Sequence, residues 1–66
     1  MKGLQEAIMR YMAIKNLNIT DAVYHLGLEY GLSHPTINKA RKGVLPRRQK
    51  TMMSLKKIVE DWSSEK

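Results

Sequence analysis

The chain has 66 residues and no cysteine, and its 12 Lys and Arg residues outnumber its six Asp and Glu residues to give a formal net charge of +6. A chain of this length forms one small domain, residues 1–66, which without cysteine can use neither disulfides nor a Cys-based zinc site for stability. No apolar run is long enough to cross a membrane and the first residues lack the apolar core of a signal peptide, so we expect a cytoplasmic protein with no membrane partner.

The first half of the chain predicts two helices. Apolar residues at helical spacing predict the first over about residues 3–15. The second is predicted over residues 21–30, with Thr20 as its N-cap. Ile19 before that cap and Tyr24 after it are spaced for a hydrophobic staple.

A third helix is predicted between two glycines. Gly31 suits the left-handed residue that ends the second helix, and Gly43 ends the third. Ser33 or His34 can cap the third helix, which we expect to begin at Pro35 because the residue before a proline disfavours helical geometry.

The last helix is predicted over about residues 47–62, after a break at Leu45-Pro46, in one piece or two. Its apolar residues recur at spacings of three and four. Glu60 and Asp61 lie near its C-terminal end, where the helix dipole disfavours acids, and the sequence offers no reason for them. No alternating strand pattern occurs, so the predicted fold class is all-α, a bundle of four or five short helices.

The second and third helices form a close pair. They are joined only by Gly31-Leu32-Ser33, which forces a steep crossing. Gly27 lies in the middle of the second helix, where glycine costs about 1 kcal/mol relative to alanine. A close approach of the two helices explains why this cost is tolerated. Ile37 is expected on the inward side of the third helix.

This arrangement resembles the helix-turn-helix of the phage Cro and CI repressor (XRE) family, whose members have lambda-repressor-like DNA-binding domains. The similarity covers about residues 22–43. It lies in the small residue at 27, the glycines at 31 and 43, the apolar residues at 26, 32 and 37, and the run Ile37-Asn38-Lys39-Ala40. The resemblance implies a double-stranded DNA operator as partner, a homodimer at least on DNA, and a role in transcription regulation, as in a phage or prophage repressor.

The family's reading helix lies in the major groove and touches base edges. Carried over by position to the helix at 34–42, the resemblance implies base contacts from His34, Pro35, Thr36, Asn38 and Lys39. The Asn38 amide suits adenine, Lys39 suits guanine, and the Thr36 methyl suits a thymine methyl. Pro35 departs from the family, which more often has a polar residue there.

The basic residues predict contacts with phosphate. Eight of them, and no acid, occur between Lys39 and Lys57, which indicates a polyanionic partner. Cations at the start of the last helix repel the positive end of its dipole, an arrangement that makes sense if a phosphate binds there. The predicted phosphate contacts are Ser33, Arg41, Lys42, Arg47, Arg48 and Lys50.

Other readings stay open. Met52, Met53 and Trp62 in the last helix are candidates for a dimer contact. A sequence-indifferent nucleoid or RNA-associated protein would use the same basic residues, and a membrane-active amphipathic helix is a further class. An enzyme is not expected, because no catalytic constellation is present, and neither are a metal, a cofactor or a small-molecule substrate.

Overall fold

The computed structural model describes residues 3–63, which form four α-helices: α1 (Leu4–Lys15), α2 (Ile19–Tyr30), α3 (His34–Arg41) and α4 (Gln49–Trp62). No strand occurs in residues 3–63, so the all-α prediction is confirmed, and the last helix is a single piece. None of the helices in this range is long and apolar enough to span a membrane.

All four helices contribute to one apolar core. α1 packs mainly along α4, while α3 packs on α2 and α1 and hardly touches α4. α3 is therefore held from one side, which leaves its opposite side exposed. The buried side chains are Leu4, Ala7, Ile8, Tyr11, Ala22, Val23, Leu26, Ile37, Ala40, Leu55 and Ile58.

α2 begins two residues before its predicted start. Its N-cap is Asn18, whose Oδ1 accepts a hydrogen bond of 2.8 Å from the backbone N–H three residues later, so the prediction of Thr20 as the cap is wrong. Ile19 is itself helical and cannot precede the cap, so the predicted staple with Tyr24 does not form. Leu17, which does precede the cap, packs against the core.

The turn between α2 and α3 is tight because backbone approaches backbone. Gly31 has the predicted left-handed geometry, with φ 69° and ψ 35°. A Cβ on Gly27 would lie 2.6 Å from the carbonyl oxygen of Leu32 and 3.8 Å from Cδ1 of Ile37. The predicted close approach at Gly27 is confirmed, although its tightest partner is the turn rather than α3.

α3 begins at His34, one residue before the predicted start. Ser33 is its N-cap and accepts a hydrogen bond of 3.4 Å from the backbone N–H of Thr36. Pro35 takes the second helical position, where the missing N–H costs nothing because the first four N–H groups of a helix have no partner within it. Gly43, with φ 99°, follows the end of the helix as expected.

The C-terminal end of α4 is fixed by polar contacts with α2. Tyr30 donates a hydrogen bond of 2.7 Å to Oδ2 of Asp61, which explains an acid at a helix end that disfavours it. Trp62 donates through Nε1 to the Tyr30 hydroxyl over 3.2 Å and meets Tyr11 edge to face at 4.7 Å. Trp62 is therefore half-buried on the core side of α4, which leaves only part of its side chain available for the dimer contact predicted there.

Candidate nucleic-acid interface

α3 forms a ridge between two shallow grooves. One groove separates it from the first turns of α2, and the other separates it from the segment 44–46. The first groove is lined by Ile19, Thr20, Val23, His34, Asn38 and Arg41. The second is lined by Thr36, Lys39, Val44, Leu45 and Pro46.

The outward side of this ridge is basic. Because residues of an α-helix are about 100° apart, Pro35, Lys39 and Lys42 lie opposite the buried Ile37 and Ala40. All three are exposed. The two lysines make the outward side of α3 positively charged, and Pro35 adds an apolar surface at the N-terminal end of the helix.

α3 presents the five predicted base readers on its exposed faces. Pro35 and Lys39 point outward, His34 and Asn38 lie on the flank towards α2, and Thr36 lies on the flank towards segment 44–46. Asn38 and Thr36 are half-buried, whereas the other three are exposed. The oxygen of the Thr36 hydroxyl lies 2.7 Å from that of Ser33, so both hydroxyls are engaged at the start of the helix.

Three exposed residues beside α3 could not be found from spacing. Tyr24 on α2 is 49% exposed, and its ring contacts that of His34 with centroids 4.8 Å apart. Val44 and Leu45 are also exposed, beside Lys39. Tyr24 adds an aromatic ring and a hydroxyl at the N-terminal end of α3. Neither periodicity nor a motif links it to His34, because the contact depends on the crossing of the two helices.

Arg41, a predicted phosphate contact, is less exposed than Lys39 and Lys42 on the same helix. It is half-buried on the α2 side of the ridge, and its Nη2 donates a hydrogen bond of 3.1 Å to Oδ1 of Asn38. Its Nε is enclosed and has no hydrogen-bond partner among the described residues. The spacing of three on one helix is a signal that the sequence did contain.

The remaining predicted phosphate contacts lie around the ridge. Lys42 is the exposed C-cap residue of α3, where a cation is favourable for the helix dipole. Arg48 and Lys50 line a groove with Leu32, beside the turn. The chain therefore runs back along α3 after Gly43 and brings these cations towards the N-terminal end of the ridge.

The N-terminus of α4 is electrostatically unfavourable as it stands. Arg48 is the N-cap residue and forms no side-chain cap hydrogen bond, and Arg47 precedes it. Both arginines and Lys50 are exposed. A phosphate would receive hydrogen bonds from the first N–H groups and neutralise the cations. Within residues 3–63, no group of three acidic or histidine side chains could hold a metal ion.

Comparison of the chain with models of known protein families, with curated proteins and with solved structures finds no significant match. The resemblance over residues 22–43 therefore stays a prediction that rests on the residues of this chain.

Proposed function

We propose that the protein is a sequence-specific double-stranded DNA-binding transcriptional regulator, of the kind found as Cro-like repressors of phages and prophages, that inserts α3 into the major groove. The observation that carries the proposal is the ridge itself. α3 is anchored by Ile37 and Ala40 and presents Pro35, Lys39 and Lys42 on its outward side. A core needs none of these outward groups.

The dimensions of α3 suit the major groove. That groove is about 12 Å wide, and a helix with its side chains is about 10–12 Å across. α3 has eight residues and the tight turn at Gly27 fixes its angle to α2. A rigid short helix can bring His34, Asn38 and Lys39 to base edges in one orientation, which sequence readout requires.

The cations around the ridge supply affinity and register. Phosphate contacts position a protein on the duplex and carry no sequence information directly. Lys42 lies at the C-terminal end of α3, and Arg48 and Lys50 lie beside the turn that precedes it. Cations at both ends of an inserted helix suit the two phosphate backbones that border the groove.

The fixed polar side chains favour sequence-specific binding over the alternative of a sequence-indifferent nucleic-acid binder. A sequence-indifferent protein needs charge but no particular orientation of amides and hydroxyls. Here the Asn38 amide is hydrogen-bonded to Arg41, and the Thr36 hydroxyl lies in contact with Ser33. Such groups are oriented before any partner arrives, as direct readout of bases requires.

Enrichment of random DNA duplexes on the purified protein, followed by sequencing, tests this function. We expect a short consensus with two inverted half-sites. Lys39→Ala serves as a comparison, because it should relax the preference at a subset of positions. A flat base distribution with retained binding contradicts the proposal and supports the sequence-indifferent binder. Failure to retain any duplex at low salt contradicts the proposal and a nucleoid protein alike, and leaves only an RNA-associated protein among the nucleic-acid binders.

A further inference from the structure

We propose that Arg41 is a positioning residue for base readout: it holds the Asn38 carboxamide so that its NH₂ group faces the DNA and selects adenine. The inference rests on the proposed function and deepens it. Its basis is the hydrogen bond of 3.1 Å from Nη2 of Arg41 to Oδ1 of Asn38, on the side of α3 that faces α2. Arg41 then acts through Asn38 and not by direct contact with phosphate.

The direction of this hydrogen bond fixes the amide. A guanidinium has five N–H donors and no acceptor, so the atom of Asn38 that faces it must be the oxygen and not the NH₂ group. A rotation of the amide by 180° would bring two donors together. Asn38 is therefore held with Oδ1 towards Arg41, and its Nδ2 remains to donate elsewhere.

Arg41 is itself restrained. It lies half-buried in the groove lined by Ile19, Thr20 and Val23 of α2. Its Nε is enclosed by protein. A guanidinium that is held in this way loses less freedom when it fixes the amide than a solvent-exposed lysine would. Because Arg41 is half-buried on this flank, it does not belong to the outward side of α3 formed by Pro35, Lys39 and Lys42.

An outward NH₂ group matches an acceptor on the base. Adenine and guanine both present N7 as an acceptor in the major groove, whereas cytosine presents a donor there. Oδ1 keeps a second lone pair, which can accept from N6 of adenine but would repel O6 of guanine. Thymine presents O4 as an acceptor but no donor for Oδ1. The expected order at the base that Asn38 contacts is therefore adenine first, because it alone matches both atoms of the amide, then guanine and thymine, and cytosine last.

A double-mutant cycle separates this role from a phosphate contact. Affinities of the wild type, Arg41→Met, Asn38→Ala and the double variant are measured on four duplexes that differ at the base pair affected by Asn38→Ala. We expect the wild type to prefer adenine by about tenfold to a hundredfold over cytosine. Arg41→Met should remove most of that preference, and it should have no further effect in the Asn38→Ala background.

Lys42→Met is the matched control, because it removes an exposed cation from the adjacent position. It should weaken binding to all four duplexes alike, and it should lower the slope of log affinity against log salt by about one unit. Arg41→Met should leave that slope close to the wild-type value. Arg41→Lys gives a second measurement if the Met variant fails to fold: it keeps the charge and should still lose part of the adenine preference.

An equal loss on all four duplexes, in both backgrounds and with a lower salt slope, would show that Arg41 contacts phosphate and would overturn the inference. A wild type with preferences at other base pairs but none that depends on Asn38 would also overturn it, while the proposed function stands. A wild type with no base preference anywhere would remove the proposed function itself.

Discussion

The hydroxyl of Tyr30 on α2 donates a hydrogen bond of 2.7 Å to Oδ2 of Asp61 on α4 and accepts one of 3.2 Å from Nε1 of Trp62. The first bond joins residues 31 positions apart in the chain. Burial, and then the hydrogen bond to Asp61, raise the pKa of Tyr30 from 10.0 to about 12. These contacts hold the C-terminal end of α4 against the last residue of α2.

Tyr30→Phe should make stability less sensitive to alkaline pH. Because the folded state raises the pKa of Tyr30 to about 12, the proton is held more tightly there than in the unfolded chain. This contribution is fully present below pH 10 and is lost as pH rises from about 10 to 12. We expect Tyr30→Phe to cost about 1 kcal/mol near neutrality and to lose less stability over the alkaline range.

Urea melts at several pH values measure the effect, with Tyr24→Phe as a control. Tyr24 is 49% exposed, so its substitution should leave the alkaline loss as in the wild type. Parallel pH dependences for the wild type and Tyr30→Phe would contradict the prediction. Tyr11, whose pKa is also raised by burial and by Glu29, is present in all three proteins and cancels from the comparison.

Gly27→Ala should destabilise the fold, although alanine favours helices by about 1 kcal/mol over glycine in an ordinary helix. The new Cβ would lie 2.6 Å from the Leu32 carbonyl oxygen, and backbone cannot move aside as a flexible side chain can. We expect a net loss of about 1–3 kcal/mol. Leu28→Ala, on the same helix at a side chain 68% exposed, is the control and should change little. An unchanged melting temperature for Gly27→Ala would mean that the turn does not approach α2 closely in solution.

The sequence predicted the helices and the turn well because local signals specify them. Helical spacing, Gly31 and Gly43 each act within a few residues of the structure they produce. The start of α2 was mispredicted because Asn18 and Thr20 are both good N-caps two residues apart, and cap chemistry alone cannot choose between them. In the structure Leu17, directly before Asn18, packs against the core, and this tertiary contact is not visible in the cap residues themselves.

The details of the candidate site were less accessible because they depend on tertiary contacts. Nothing local to Asp61 indicates Tyr30 as its partner, and nothing local to His34 indicates Tyr24. The half-burial of Arg41 depends on the packing of α2 against α3, and the charge of Arg41 alone predicts only a contact with phosphate. The hydrogen bond between Arg41 and Asn38 is the exception, since a spacing of three on one helix could have suggested it.

Asn38→Ala should weaken binding to the preferred sequence by about 1–3 kcal/mol and leave non-specific affinity nearly unchanged. The reason is that Asn38 carries an oriented amide on the exposed flank of α3. Titrations of labelled duplexes with the preferred and a scrambled sequence measure both affinities at one salt concentration. An equal loss on the two duplexes would remove Asn38 from the base readers.

Arg47→Ala and Arg48→Ala should weaken binding to all DNA sequences alike. Each removes an exposed cation at the uncapped N-terminus of α4, and each should lower the slope of log affinity against log salt by about one unit. Arg10→Ala, an exposed cation on α1, is the matched control and should leave the slope unchanged. A slope that stays at the wild-type value for both α4 variants would show that these arginines do not meet phosphate.

The last prediction concerns the dimer. A single reading helix contacts few base pairs, and helix-turn-helix proteins bind two half-sites whose centres are about 34 Å apart as two-fold dimers. Trp62 is engaged with Tyr11 and Tyr30, so it is a poor candidate for the contact between chains. Met52 is half-buried, and Met53 is 61% exposed, which makes Met53 the stronger candidate on α4.

Met53→Gln should therefore weaken binding to a palindromic duplex and spare binding to a single half-site. Burial of a methionine against a partner contributes about 1.5–3 kcal/mol, so we expect a loss of about tenfold or more on the palindrome. Met9→Gln is the matched control, since Met9 is 63% exposed on α1 and the change is chemically identical.

Sedimentation of the protein with each duplex gives the stoichiometry, which should be two chains per palindrome. Because the charge of +6 repels a second copy, self-association should be weaker without DNA. One chain per palindrome at saturating protein would contradict the dimer, and equal losses for the two methionine variants would place its contact elsewhere.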